Sequence, residues 1–248
     1  MQTLLKTAVI AVILFTCASC ITLDTELSLN KDGSGTLSME YAITESSVAQ
    51  IKGMLALERD LALAAGDPAP THDENDLIRM MMNPVDTRIN DHLKSYSKHG
   101  VTLEKIEFRS RESSMQIETI LAFNSLEDLS KTDIFQQFGF SLGIDKEGNY
   151  VLQRSPHNRA AESFDPLDSE EAKTLVSLLG GMHITLKIIT PGRVLKTTAD
   201  DRRSFSAEWR FDFDRDPNIL ANIQKQYFLV VFEGEGVDLP PIAPRQSE

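Results

Sequence analysis

A serine between two glycines is the pattern in this sequence that most directly suggests covalent chemistry. Residues 139–143 read Gly-Phe-Ser-Leu-Gly, the G-x-S-x-G pattern of the nucleophile elbow in α/β-hydrolases, where a strained strand-to-helix turn exposes the serine hydroxyl. Ser141 would need a base, and His157 and His183 both lie downstream of it. The residues that follow Ser141 are typical of a β-turn and a strand rather than of a helix. The sequence therefore favours a structural serine, and a lipid-acting serine hydrolase (an esterase or phospholipase) stays the alternative function.

Three alternating aspartates are the second candidate for chemistry. Asp212, Asp214 and Asp216 resemble the start of a calcium-binding loop, but Pro217 stands where that loop needs glycine and Ile223 where it needs glutamate. Alternation of aromatic and acidic residues is simply the pattern of a strand with one solvent face. The five histidines show no metal-ligand spacing either. No metal site and no cofactor are therefore expected.

The N-terminus has the residue order of an export signal. Lys6 supplies a short positive region, residues 7–15 form an apolar stretch, and small residues follow it. The apolar stretch is shorter than the roughly 20 residues that a transmembrane helix needs. We therefore expect residues 1–19 to be a signal peptide that is removed from the mature chain.

The cysteine after this signal is the expected site of lipidation. Ala18-Ser19-Cys20 matches the last three positions of the lipobox of bacterial lipoproteins, whereas Cys17 stands where that motif has leucine. Cleavage before Cys17 is the alternative, but it would place Phe15 and Thr16 where small residues are needed. Acylated Cys20 is therefore the predicted attachment to a membrane of the bacterial cell envelope, with the domain facing the periplasm or the exterior.

The charge of the chain restricts its partners. Acidic residues number 37 against 25 basic ones, which gives a formal net charge of −12. An acidic surface argues against nucleic-acid binding and against a polybasic contact with anionic lipid, so the acyl chains must supply the membrane attachment. The only two cysteines lie in the signal region, so the mature domain is expected to have no disulfide and no cysteine metal site.

Alternating apolar residues predict a domain rich in β-strands. The strands are expected over 21–43 (a hairpin that turns at 30–35), 101–108, 114–123, 138–144 with 150–153 (a second hairpin), 182–190, 205–213 and 227–232. The last of these is almost continuously apolar, which favours a central position in its sheet.

Helical spacing is found between these strands. Helices are expected over 45–65, 73–82, 84–97 and 168–179, with a short helical turn at 124–129. The order of elements predicts an α+β fold, a mostly antiparallel sheet with helices packed on one face, forming one domain over residues 20–238. The Pro-rich, polar residues 239–248 are expected to be a flexible C-terminal tail.

Three short segments carry a resemblance to a known family. They are Thr25–Thr36 directly after the lipobox, Ile189–Val194 (Ile-Thr-Pro-Gly-Arg-Val) followed by Phe205–Trp209, and the strand-to-helix step Phe123–Leu129. Together with the lipobox they resemble the LppM-domain family of bacterial lipoproteins. The resemblance covers most of the mature chain in layout and implies a lipid-binding α/β domain similar to lipid-transfer folds.

The function expected from these observations is that of a tethered binding module. The chain is interpreted as a membrane-anchored extracytoplasmic lipoprotein, non-enzymatic, which binds a lipid or similar amphiphile or a protein partner. Four methionines, Met54, Met80, Met81 and Met82, are candidates to line an adaptable apolar groove between the sheet and the helices of 45–97, the alternative being that they are plain core.

Overall fold

Two β-sheets and the hydrophobic core that they share form the framework of the described part of the chain. The computed structural model describes residues 21–65, 87–111, 114–154, 181–216 and 219–243. The strands are β1 (Ile21–Leu29), β2 (Gly35–Thr44), β3 (Val101–Arg111), β4 (Ser114–Phe123), β5 (Ser141–Ile144), β6 (Tyr150–Arg154), β7 (Met182–Ile189), β8 (Val194–Thr197), β9 (Asp201–Arg203), β10 (Ser206–Asp212) and β11 (Phe228–Phe232). The helices are α1 (Glu45–Ala65), α2 (Thr87–Ser95), which continues as a 3-10 turn (Tyr96–His99), α3 (Leu126–Ser130), α4 (Asp133–Phe138) and α5 (Ile219–Lys225).

The expected N-terminal hairpin is confirmed. All of β1 pairs with β2 in an antiparallel register, and the connecting turn has Gly33 at φ 84°, a conformation that favours glycine. The Asp32 side chain closes this turn because it accepts hydrogen bonds from the amide and the hydroxyl of Ser34. Local turn chemistry therefore sets the register of the first two strands.

The larger sheet has seven strands in the order β3-β4-β2-β1-β7-β10-β9, and the smaller one has four in the order β5-β6-β11-β8. Their pairings are antiparallel with one exception, the parallel pair of β1 and β7. The expectation of a mostly antiparallel sheet is thus confirmed. The apolar strand β11 lies between β6 and β8, as its composition indicated.

A second sheet, which the sequence did not predict, packs on the apolar face of the first. The rings of Trp209 on β10 and Phe228 on β11 lie 5.2 Å apart between centroids, and those of Phe211 and Phe228 lie 6.1 Å apart. The helices cover other parts of this face, with Leu93 and Leu126 buried in the same core. The structure therefore does not show a layer formed by helices alone, and the expected single sheet with helices on one face is corrected to two sheets with helices beside the smaller one.

The segment before Ser141 contains a helix that the sequence did not predict, because no element was expected over 130–137 and a strand was expected from residue 138. Asp133–Phe138 forms α4 because Thr132 caps it, its hydroxyl accepting a hydrogen bond from the amide of Phe135 at 3.3 Å. Strand β5 then begins at Ser141, three residues later than expected. The expected helices 73–82 and 168–179, and the start of 84–97, lie outside the described residues.

The C-terminal residues 239–243 pack on the domain, so the boundary expected at residue 238 falls too early. Leu239 is buried, and its amide donates a hydrogen bond to the hydroxyl of Tyr150 at 3.0 Å. Ile242 and Leu142 exchange two backbone hydrogen bonds of 2.9 and 3.0 Å. The apolar residues inside a Pro-rich, polar stretch are what fix this segment. Residues 244–248 lie outside the described residues, so a flexible tail stays a prediction for them.

Candidate functional site

Ser141 lies in a β-hairpin and not in a nucleophile elbow. The residue is 9% exposed, and its hydroxyl donates a hydrogen bond to the carbonyl of Gln153 across the β5–β6 pair at 3.3 Å. The order here is helix then strand, the reverse of the strand-to-helix turn that an elbow requires. His183 belongs to the other sheet, where its Nδ1 faces a carboxylate oxygen of Asp212, and His157 lies outside the described residues.

The methionine candidates cannot be placed as a groove. Met80, Met81 and Met82 lie outside the described residues, as does the side chain of Met54. Where α1 is described, its contacts are those of a packed core, formed by Val48, Ile51, Ile21, Ile43 and Met115. The apolar groove expected between the sheet and these helices therefore stays a prediction.

An open groove lies elsewhere, between α4 and the C-terminal segment. Its volume is about 320 Å³, which falls at the lower end of the range for small-molecule pockets. It is lined by Ser130, Phe135, Gln136, Gly139, Phe140, Ile242 and Ala243. The two phenylalanines give it an apolar floor, and the serine and glutamine give it a polar, uncharged rim.

A small apolar void lies directly behind this floor. It holds about 10 Å³, roughly one water-sized probe, and Phe135 and Phe140 line both it and the groove. Its other walls are Thr25, Leu27, Leu37, Phe138, Leu186 and Ile188. The rings of Phe135 and Phe140, with centroids 6.3 Å apart, thus separate the groove from imperfectly packed space on the apolar face of the seven-stranded sheet.

Local interactions position the groove on both sides. Gly139 ends α4 in the left-handed conformation at φ 65°, which turns the chain from the helix into β5. Tyr150 fixes the opposite wall, because its hydroxyl accepts the Leu239 amide and donates to the Val237 carbonyl at 3.2 Å. Sequence analysis missed this site because it predicted no element over 130–137, a strand from residue 138 and a flexible tail from residue 239.

A polar cluster around the buried Tyr96 fixes the start of α4. The Tyr96 hydroxyl donates to one carboxylate oxygen of Asp133 at 2.5 Å, and His92 Nε2 lies 3.1 Å from the other oxygen. Burial, followed by the hydrogen bond to Asp133, raises the pKa of Tyr96, and the same hydrogen bond lowers the pKa of Asp133. The cluster ties α2 to α4 and so holds the helix that carries Phe135.

The aspartate run is divided by the fold. Asp212 and Asp214 lie beside His183, and the three offer ligand atoms within 4.8 Å of one another. Asp216 is instead hydrogen-bonded by the side-chain amide of Asn222 at 2.5 Å. The sequence indicated Asp212 on a solvent face, but it gave no sign that a histidine from another strand lies next to it.

The N-terminal anchor is a separate matter from these sites. Cys20 lies outside the described residues, so its lipidation stays a prediction, but β1 begins at the next residue. Among the helices in the described part of the chain, none combines the length and the apolar character needed to cross a bilayer.

Several solved chains are similar to this one. One of them is the folded domain of the LppM protein of Mycobacterium tuberculosis, determined by NMR, with 8% sequence identity and a TM-score of 0.41 over 89% of this chain and 95% of that domain. No family model matches the sequence, and no curated protein matches it. A similarity at this level identifies no ligand and no activity, so membership of the LppM-domain family stays a prediction.

Proposed function

We propose that this chain is a membrane-anchored extracytoplasmic lipoprotein that binds a single-chain amphiphile in the groove between α4 and the C-terminal segment. The observation that carries the proposal is the groove itself, an open space of about 320 Å³ with an aromatic floor and an uncharged polar rim. Ligand sites are concave and mostly apolar, with a few polar groups that fix orientation. An aromatic floor suits the apolar chain of an amphiphile, and an uncharged polar rim suits its small polar head group.

The charges around the groove favour an uncharged head group. The chain has a net charge of −12, which disfavours anionic ligands. Lys131, beside the rim, is engaged by Glu127 at 3.2 Å and by Asp128 at 3.3 Å, so it is not free for an acid head. Ser130 and Gln136 offer uncharged donors and acceptors instead. A monoacylglycerol has this chemistry.

Blocking the groove tests the proposal directly. Gln136 is exposed and lines the groove, so Gln136→Trp should fill part of it and lower the affinity for a fluorescent monoacylglycerol at least tenfold. Lys131→Trp is the matched control, because Lys131 is also exposed and close by but does not line the groove. Fluorescence titration of the purified chain measures both. Equal affinities in the two variants, or no binding by the unmodified protein, would refute the proposed function.

The anchor is tested separately. Cys20→Ala should abolish labelling with an alkyne-bearing fatty acid and move the protein from the membrane fraction to the soluble fraction, because the acyl chains are the proposed attachment. Cys17→Ala is the control and should leave both properties unchanged. Labelling that persists in Cys20→Ala and disappears in Cys17→Ala would assign the lipid to the other cysteine.

A serine hydrolase at Ser141 is not proposed as a second function. Its hydroxyl is used in a strand-to-strand hydrogen bond, and no described histidine contacts it. No observation in the described residues favours the hydrolase.

A further inference from the structure

We propose that His183, Asp212 and Asp214 form a binding site for a divalent first-row transition-metal ion, with Zn²⁺ as the best match. The site is independent of the amphiphile groove and lies at the opposite face of the larger sheet. It combines one imidazole with two carboxylates, all within 4.8 Å of one another.

The sheet register brings the first two ligands together. His183 on β7 and Asp212 on β10 are direct cross-strand partners in the antiparallel pair, so their side chains project from the same face. The chain then turns, and Asp214 comes back against the start of β7, where its carboxylate accepts a hydrogen bond from the amide of Gly181 at 2.7 Å. The three ligands therefore come from two strands and one turn that the fold holds in place.

The spacing suits a shared metal better than a direct hydrogen bond. His183 Nδ1 lies 3.7 Å from Asp212 Oδ1, beyond the hydrogen-bond range of about 2.7–3.2 Å. Two ligands bonded to a tetrahedral Zn²⁺ at about 2.0–2.2 Å are roughly 3.4 Å apart. These two atoms therefore need to approach each other by about 0.3 Å to bind one ion, and all three ligand atoms lie within 4.8 Å of one another.

Backbone donors already orient both carboxylates. The Asp214 amide donates to Asp212 Oδ1 at 3.0 Å, and the Gly181 amide holds Asp214. Such outer contacts orient metal ligands and lower the cost of ordering them. Arg215 Nε lies 3.1 Å from the second oxygen, Asp212 Oδ2, and so leaves Oδ1 as the oxygen nearest His183.

The ligand set also selects the class of ion. Imidazole nitrogen is a ligand for zinc and other first-row transition metals, whereas calcium and magnesium prefer sites formed by oxygen alone. His183 and Asp212 are 44% and 27% exposed in their side chains, so an ion reaches them from solvent without rearrangement of the sheet. Three protein ligands leave at least one coordination position for water.

Metal titration of the full chain tests this inference. Free cysteine thiols are first alkylated, because they would bind Zn²⁺ themselves, and residual metal is removed with EDTA. Isothermal titration with ZnCl₂ should then give one site, and Co²⁺ should give a d–d absorption spectrum typical of mixed nitrogen and oxygen ligands. Bound Zn²⁺ should also raise the Tm, and the increase should grow with the logarithm of the free Zn²⁺ concentration above Kd, since binding to the folded state stabilises it.

Three variants decide the assignment. His183→Ala and Asp214→Asn should each weaken Zn²⁺ binding at least tenfold, and the asparagine amide oxygen can still accept the Gly181 hydrogen bond, which protects the fold. Asp216→Asn is the matched control from the same run and should bind like the unmodified protein. No stoichiometric binding, equal affinity in all variants, or loss with Asp214→Asn but not with His183→Ala would each overturn the proposal.

Discussion

Removing one hydroxyl group from Tyr150 should loosen the C-terminal wall of the groove. In Tyr150→Phe the buried amide of Leu239 loses its acceptor and the carbonyl of Val237 loses its donor. A buried polar group without a partner costs about 1–3 kcal/mol. The ring of Tyr150 stacks on Phe232 with centroids 5.5 Å apart, and phenylalanine keeps that contact, so the effect reports the hydroxyl alone.

The chain contains a matched control for this change. The hydroxyl of Tyr41 is buried in the described structure without a hydrogen-bond partner, and burial raises its pKa to about 12. Tyr41→Phe removes the same atom, but here it relieves an unsatisfied group. We therefore expect Tyr41→Phe to be neutral or to stabilise the fold by about 1 kcal/mol, opposite in sign to Tyr150→Phe.

Urea and thermal unfolding followed by circular dichroism measure both variants. For a domain of this size about 1 kcal/mol corresponds to roughly 2–4 °C in Tm. Tyr150→Phe should also weaken amphiphile binding, because Ile242 and Ala243 line the groove just beyond the segment that Tyr150 holds. Equal stability of Tyr150→Phe and Tyr41→Phe would refute the reasoning. If Tyr150→Phe is destabilised but binds amphiphile normally, the packing of the C-terminal segment does not determine binding in the groove.

Two further predictions concern stability. Gly192→Ala should destabilise the fold by about 1–3 kcal/mol, because a Cβ there would collide with the backbone carbonyl of Glu233, which follows β11. In Gly53→Ala the new Cβ meets no atom within 4 Å, so this variant should be stabilised by about 1 kcal/mol through helix propensity. Urea midpoints that move in the same direction in the two variants would contradict this. Hydrogen bonds from Arg109 and then Lys105 lower the pKa of Glu107 to about 2 from 4.5. The contribution of the Glu107 carboxylate to stability is therefore present above pH 4.5 and is lost as the pH falls towards 2. At low salt, Glu107→Gln should lose less stability than the unmodified protein over that interval. An unchanged dependence of the free energy of unfolding on pH would refute the assignment.

The parts of the fold that sequence analysis predicted depend on local signals. The N-terminal hairpin was predictable because its turn, residues 30–35, lies between two alternating strands and fixes their register. The parallel pairing of β1 with β7 was not, since no local pattern links residues 21–28 to 182–189. The second sheet was missed for the same reason, as each of its strands could equally have extended the first.

The candidate sites follow the same rule. The alternation around Phe211 correctly predicted that Asp212 faces solvent, but its neighbour His183 is determined by the pairing of β10 with β7, which is a tertiary property. The groove depends on Thr132, whose cap starts a helix at residues for which no element was predicted. It also depends on Tyr150, whose hydroxyl fixes a segment that composition indicated was loose. Residue types gave the chemistry of these groups, and long-range pairing gave their proximity.

The position of β1 inside the seven-stranded sheet has a mechanical consequence for a tethered protein. Any pull on the proposed membrane anchor enters the fold at Ile21, the first residue of a strand that is bonded on one side to β2 and on the other to β7. An edge strand would peel away from a single partner one hydrogen bond at a time. A strand flanked on both sides must break two ladders together, so the attachment point is expected to resist force better than either edge of the sheet, β3 or β9.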